Sequence, residues 1–279
     1  MKKILYVFYF LLLCLITRVE AFDFFKKHID DALHGTVGED FLRLFGYYDE
    51  ESTSGCFRPD CHKDEKVRIT WINGLFNLRK HVENNLAEFS DAHGGHTIYY
   101  VFYATGGWTE DILHSVRVKL NNHVSPVAQM LGKLWKKLIA EMGGPNGGGV
   151  IIHYAHSMGA MNTLMAKSLL TQEEQKMIHV ITLGTPLMLS ESAGFGSVTN
   201  YISRRDGVSL ADPVGYIKAW VLDDMNVAWV GSSEGIPFVE HYLETDAYRG
   251  VVKRLGAEFV ETYSYPRDPH SNMHFNYNH

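Results

Sequence analysis

"GGGVIIHYAHSMGAMNTLMA", running from Gly147 to Ala166, is the stretch whose reading decides the fold. Val150 to His156 is an apolar run with β-branched residues behind three glycines, which fits a buried strand. After Ser157 the Ala- and Leu-rich "MNTLMAKSLL" fits a buried helix. One hydroxyl therefore sits on a sharp turn between two buried elements. Small residues flank it two positions away on either side, Ala155 and Gly159. That spacing suits a strand-to-helix elbow, where strained backbone lifts the serine Oγ clear of the sheet and larger flanking side chains would clash. The same turn aims the first N–H groups of the helix at the space beside the hydroxyl, where they can hold an oxyanion. The bland alternative is a serine that merely caps a buried helix. The strand before and the helix after are the context that an elbow requires.

Outward from that turn, apolar β-branched runs alternate with helical segments. Strands are expected at "KVRITWI", "TIYYVFYA", "GVIIHYA", "MIHVITL" and "VTNYIS", with "KAWVL" and "NVAWV" as a further pair in a hairpin. Helical spacing appears in "LRKHVENNLAEFSDA", across 108–142, and in "YLETDAYRGVVKRL". Strands alternating with helices imply an α/β fold, a mostly parallel sheet with helices on both faces. In such a sheet the ligand site lies beyond the carboxyl ends of the strands.

The chain has 279 residues, 46% hydrophobic and 21% charged, enough for one large core. Its net charge of -6 gives no basic footprint, so no nucleic-acid partner is expected. Residues 1–21, "MKKILYVFYFLLLCLITRVEA", carry two lysines, a short apolar run and a terminal alanine, the pattern of a secretory signal peptide. The apolar run is shorter than a membrane-spanning helix needs. Secretion, or residence in a cell envelope, follows as an expectation. Residues 22–65 are polar and glycine-broken and are read as an N-terminal extension, 66–262 as the folded domain, and 263–279 as a polar tail. Cys56 and Cys61, in "CFRPDC", would close a small loop in an oxidising compartment or stand as two free thiols.

"VIIHYAHSMGAMNT" resembles the nucleophile elbow of the α/β-hydrolase superfamily, especially its lipase-like members, and "HVITLGTP" resembles the strand and turn that follow the nucleophile helix there. The resemblance spans about Lys66 to Leu255. It implies the α/β-hydrolase fold and a catalytic order of serine, then acid, then histidine. Asp206, in "SRRDGVS" just past a strand, is the favoured acid, with Asp212 as its rival and Asp223 and Asp224 behind. His241 is the favoured base, because lipase-like enzymes have a histidine followed by a docking helix that contains a tyrosine. His270 and His274 fall in the polar tail. His156 is set aside, because the elbow turns its side chain away from Ser157. The oxyanion hole implied by the resemblance takes the N–H of Met158 and one from "NGLFN", at Leu75 with Gly74 as alternative.

These residues imply a serine hydrolase of lipase or esterase type that acts on a small-molecule or lipid acyl ester, with contact at a membrane surface and with no cofactor or metal. "PLMLSESAGFGSV" is a candidate lid, and 108–142 a candidate lining for an acyl pocket. Two other classes compete. One is a hydrolase scaffold kept only for binding. The other is a metal-dependent hydrolase, suggested only by the count of fifteen histidines and requiring three convergent ligands; "HGGH" at 93–96 reads as a loop with no third ligand in view.

Overall fold

Seven strands make one sheet whose order is β1-β3-β2-β4-β5-β6-β7. They are β1 (Thr53–Phe57), β2 (Val67–Ile72), β3 (Ile98–Phe102), β4 (Val150–His156), β5 (Ile178–Leu183), β6 (Ser197–Ser203) and β7 (Val227–Val230). The computed structural model describes residues 51–58, 66–74, 77, 79–104, 124–204, 206–208, 226–231, 241, 243 and 245–263. All of them fall within one compact unit of the chain, Glu51–Ala104 with Val118–His279.

β2 through β7 run parallel, and only β1, at the edge, is antiparallel to its neighbour β3. The central strands are buried on both faces, which explains why they read as continuous apolar runs. Side chains alternate between two cores. Ile72, Ile151, Ala155 and Val180 face helices α2 (Pro126–Glu141) and α3 (Gly159–Lys167). Trp71, Ile152, Tyr154 and Ile181 face α1 (Arg79–Ala92) and the last helix, Asp246–Tyr263. A short α4 (Gln172–Lys176) precedes β5, so that last helix is α5.

The architecture is a mostly parallel sheet between two helical layers, α/β-hydrolase-like, as the sequence implies. β7 pairs in parallel with β6, and "KAWVL", its expected hairpin partner, lies outside the described residues. Two details differ from the sequence reading. β1 falls inside 22–65 and joins the sheet at its edge, in register with β3 from Thr53↔Phe102 to Phe57↔Ile98. The apolar face of α2 is committed to the core: Leu131, Trp135 and Leu138 are fully buried and line no open acyl pocket, while 105–123 lie outside the described residues.

The strand order also locates the site. From β2 the chain steps outward to β3, then crosses back to β4 and continues the other way through β7. The order reverses between β2 and β4, and open α/β sheets bind ligands beyond the carboxyl ends of the strands at such a reversal.

Candidate active site

Ser157 stands at that reversal. β4 ends at His156, and Ser157 takes φ +52, left-handed backbone that costs an L-residue about 1–2 kcal/mol. Its N–H donates to Leu183 O at 2.9 Å, which ties the turn to the end of β5. Gly159 explains the small residue on the helical side. A Cβ there would lie 2.9 Å from both Ile72 Cγ2 and Ile72 O, because the start of α3 packs directly on β2. Ala155, fully buried between Ile72 and Thr182 in the ladder, fills the other small position.

The hydroxyl does not cap the helix. Ser157 Oγ lies 2.8 Å from His241 Nε2, and His241 Nδ1 lies 2.9 and 3.0 Å from the two oxygens of Asp206. Because a carboxylate only accepts, Nδ1 carries the proton and Nε2 is left to accept from the serine. The structure therefore brings Ser157, His241 and Asp206 into one hydrogen-bonded chain. Asp206 follows β6 closely, and its side chain is fully buried. Burial by itself would raise its carboxyl pKa. The hydrogen bond and charge of His241, the Tyr248 hydroxyl at 2.6 Å and the Val208 N–H at 2.9 Å outweigh that and hold it below the usual carboxylate range.

Two residues behind this chain take roles that sequence reading does not assign. Tyr248, fully buried on α5, donates to Asp206 Oδ2 while its oxygen accepts the Ser203 N–H at 3.0 Å. It is thus the tyrosine on the docking helix that meets the acid. Gly184, in "LGTP", has φ +60, and a Cβ there would lie 2.7 Å from Asp206 Oδ2, 3.0 Å from Tyr248 Oη and 3.1 Å from His241 Nδ1. The glycine lets the turn after β5 pass directly against the acid and the imidazole.

On the oxyanion side, Met158 opens α3 beside Ser157, so its N–H belongs to the first helical turn. Leu75 lies outside the described residues. Gly74 is described, and a Cβ on it would stand 2.4 Å from Ser157 Cβ, so the loop after β2 packs onto the serine. Asn73 fixes that loop. Its Nδ2 donates to Gly74 O at 2.8 Å and to Tyr103 O at 2.9 Å, and its Oδ1 accepts the Tyr103 N–H at 2.7 Å.

The remaining candidates sort as follows. Asp212, Asp223, Asp224, His270, His274 and Cys61 lie outside the described residues, as do 1–50. Cys56 is exposed on β1. His93 of "HGGH" is a core residue, bonded to Tyr154 Oη at 2.8 Å and Phe89 O at 2.7 Å, with its pKa pushed down to about 4 by burial. Among the described residues no group of three His, Cys, Asp or Glu could hold a metal ion. The candidate lid is anchored: Met188, Leu189 and Phe195 are buried, and Asn200 both donates to Leu189 O and accepts from Leu189 N. A segment with its own buried side chains and a bonded backbone gains little by swinging out.

Fold and site together define an α/β-hydrolase-like chain with a serine, a histidine and a carboxylate in hydrogen-bonded sequence. No protein-family model matches the chain, and no curated protein does. Among solved structures it is similar to α/β serine hydrolases at low identity. A Trichoderma reesei cutinase, solved with a phosphonate inhibitor, is 12% identical over 71% of this chain and 80% of its own, with a TM-score of 0.44. A dienelactone hydrolase from Anabaena variabilis is 15% identical over 77% and 93%, with a TM-score of 0.46. The hormone-sensitive lipase homologue EstE7, from a metagenome library, is 10% identical over 88% and 99%, also at 0.46.

Proposed function

We propose that this chain is a serine hydrolase of carboxylic esters, of esterase or lipase type, and that it acts after export. One observation carries the reading: Ser157, on strained backbone at the switch point of the sheet, shares a 2.8 Å hydrogen bond with a histidine whose far nitrogen is held by a buried, ionised aspartate. A scaffold kept only for binding has no need of that alignment.

In the proposed reaction Ser157 Oγ attacks the ester carbonyl carbon as His241 Nε2 takes its proton. The oxyanion that forms is met by the Met158 N–H and by an N–H of the loop after β2, at Leu75 or Gly74. These bonds strengthen toward the transition state, where the charge develops. His241 then returns the proton to the departing alcohol oxygen, leaving an acyl-serine. A water, deprotonated by the same nitrogen, hydrolyses it to the acid. Asp206 keeps the imidazole in the required tautomer and stabilises the transient imidazolium. A lipid acyl ester at a membrane surface is the proposed natural substrate, in keeping with the exported leader read from 1–21.

A fluorophosphonate reacts with an activated serine and tests this directly. The full chain should label in a single position, while Ser157→Ala abolishes labelling and His241→Ala reduces it by roughly 10⁴-fold or more. A folded native chain that does not label would sink the reading.

A further inference from the structure

The residue just before the serine faces the other side of the sheet from Ala155, toward the layer that contains α5. His156 is only 2% exposed. Its Nε2 lies 2.9 Å from the main-chain oxygen of His241. A carbonyl can only accept, so Nε2 carries a proton. Burial, with the nearby charge of His241, pushes the His156 pKa down to about 3, so the ring is neutral and Nδ1 is bare. That Nδ1 is buried and has no hydrogen-bond partner among the described residues. Gly74 packs over it, since a Cβ on Gly74 would come within 3.2 Å of this nitrogen. The two imidazoles, of His156 and His241, lie 5.1 Å apart, centre to centre, at 31°.

One ring thus sits between the loop after β2 and the histidine, with unequal edges. The edge toward His241 is bonded; the edge toward Gly74 is only in contact. An unpaired buried acceptor costs free energy that an apolar ring of the same shape would not. Among the described residues, His156 is the hydrogen-bond partner of the His241 main chain. The donor at Nε2 is the feature that an apolar ring lacks.

We propose that His156 is a positioning residue: its Nε2–H holds the His241 carbonyl and so keeps the His241 imidazole in line between Ser157 and Asp206. The inference rests on the serine-hydrolase reading above. His156 transfers no proton and touches no substrate. The base is anchored from β4, the same strand that presents the nucleophile, so the two reacting groups share one rigid support. Such sharing limits the misplacement that costs rate most steeply.

The test compares labelling rate with stability, using a fluorophosphonate on the full chain. His156→Phe keeps a planar ring, removes the donor and also removes the unpaired acceptor. Its melting temperature should stay near native, while the saturating labelling rate falls about 10- to 100-fold with probe affinity little changed. His156→Gln restores an N–H near the Nε2 position, and its rate should return to within about 3-fold of native. A folded His156→Phe that labels at the native rate overturns the proposal. So does a folded His156→Gln that labels as slowly as the Phe variant. If His156→Phe does not fold, His156→Gln decides alone: a near-native rate supports the positioning role, and a slow rate in a folded protein overturns it. A native chain that fails to label removes the hydrolase reading and this one with it, whereas a labelling native chain with an equally fast Phe variant removes this one only.

Discussion

Replacing Gly184 by alanine should damage the site far more than the fold, and the size of the effect can be worked from the structure. The glycine has φ +60, a conformation that costs an alanine about 1–2 kcal/mol. The new methyl would lie 2.7 Å from Asp206 Oδ2. Relief requires a shift of roughly 0.5 Å or more. Asp206 has little freedom to make it, being held by His241, Tyr248 and Val208. Losing one of those charge-assisted bonds costs about 1.5–3 kcal/mol. The sum is about 2.5–5 kcal/mol, or roughly 5–20 °C in melting temperature for a domain of this size. Catalysis should suffer more, because the same methyl lies 3.1 Å from His241 Nδ1, and misplacing a base by a fraction of an ångström to 1 Å costs about 100-fold. The assay is thermal unfolding alongside fluorophosphonate labelling. Gly250→Ala is the control. It lies within α5 with nothing among the described residues within 4 Å of the new methyl, and should stabilise by about 0.5–1 kcal/mol without slowing labelling. A folded Gly184→Ala protein that labels within about 3-fold of native would refute the packing of this turn against the acid and the imidazole.

Tyr248→Phe should slow labelling about 10-fold and lower stability by roughly 2 kcal/mol, since it removes the 2.6 Å donor to Asp206 and the acceptor of the Ser203 N–H; labelling kinetics and urea titration check it, and a silent substitution would contradict the bond. At Ser157 the usual ranking of alanine over glycine should invert: both variants lack the hydroxyl, but only alanine keeps the penalty of φ +52, so Ser157→Gly should be more stable than Ser157→Ala by about 1 kcal/mol on denaturant titration. Acid should unfold the protein well above the carboxylate range. Burial lowers His93 to about 4 and His153 and His156 to about 3, so the unfolded chain binds more protons below its histidine pKa of about 6.5, and stability falls as pH drops from there toward 3–4. By pH 5 each of the three should have cost roughly 2 kcal/mol relative to pH 8, and denaturant titrations that agree at the two pH values would contradict their buried, neutral state.

The sequence is legible where one local rule settles the matter. β4 and β5 are apolar runs bounded by turns, and Ala155 and Gly159 announce the elbow because no larger side chain fits beside Ile72. β1 is not legible: "TSGCF" alternates between half-buried and exposed side chains, has a central glycine, and gains its identity only by pairing with β3. The choice among acids is undecidable locally for the same kind of reason. Asp206 differs from any other loop aspartate by what converges on it, namely Tyr248 from α5, His241, and the bare Cα of Gly184. Each of those partners is distant in sequence. The role of His156 is hidden in the same way, because its partner is a backbone carbonyl that no residue pattern marks.

The same burial has opposite consequences for the two groups that flank His241, and the hydrogen-bond partners explain why. Withdrawal from water disfavours charge on both. For His156 one carbonyl acceptor is too weak to resist, so the imidazole stays neutral and adds no positive charge beside the one that His241 must acquire. For Asp206 burial pushes the other way, toward a neutral acid, but an imidazole, a phenol and a backbone N–H all donate to it and keep it ionised. A developing imidazolium at His241 is therefore favoured from the Asp206 side and unopposed from the His156 side. Removing donors from Asp206 should erode that bias gradually, with Tyr248→Phe as its first step, whereas a permanent positive charge at position 156 should reverse it. His156→Arg, if it folds, should thus label more slowly than His156→Phe despite offering a donor to the same carbonyl. Labelling of the two at equal rates would mean that position 156 acts through geometry alone.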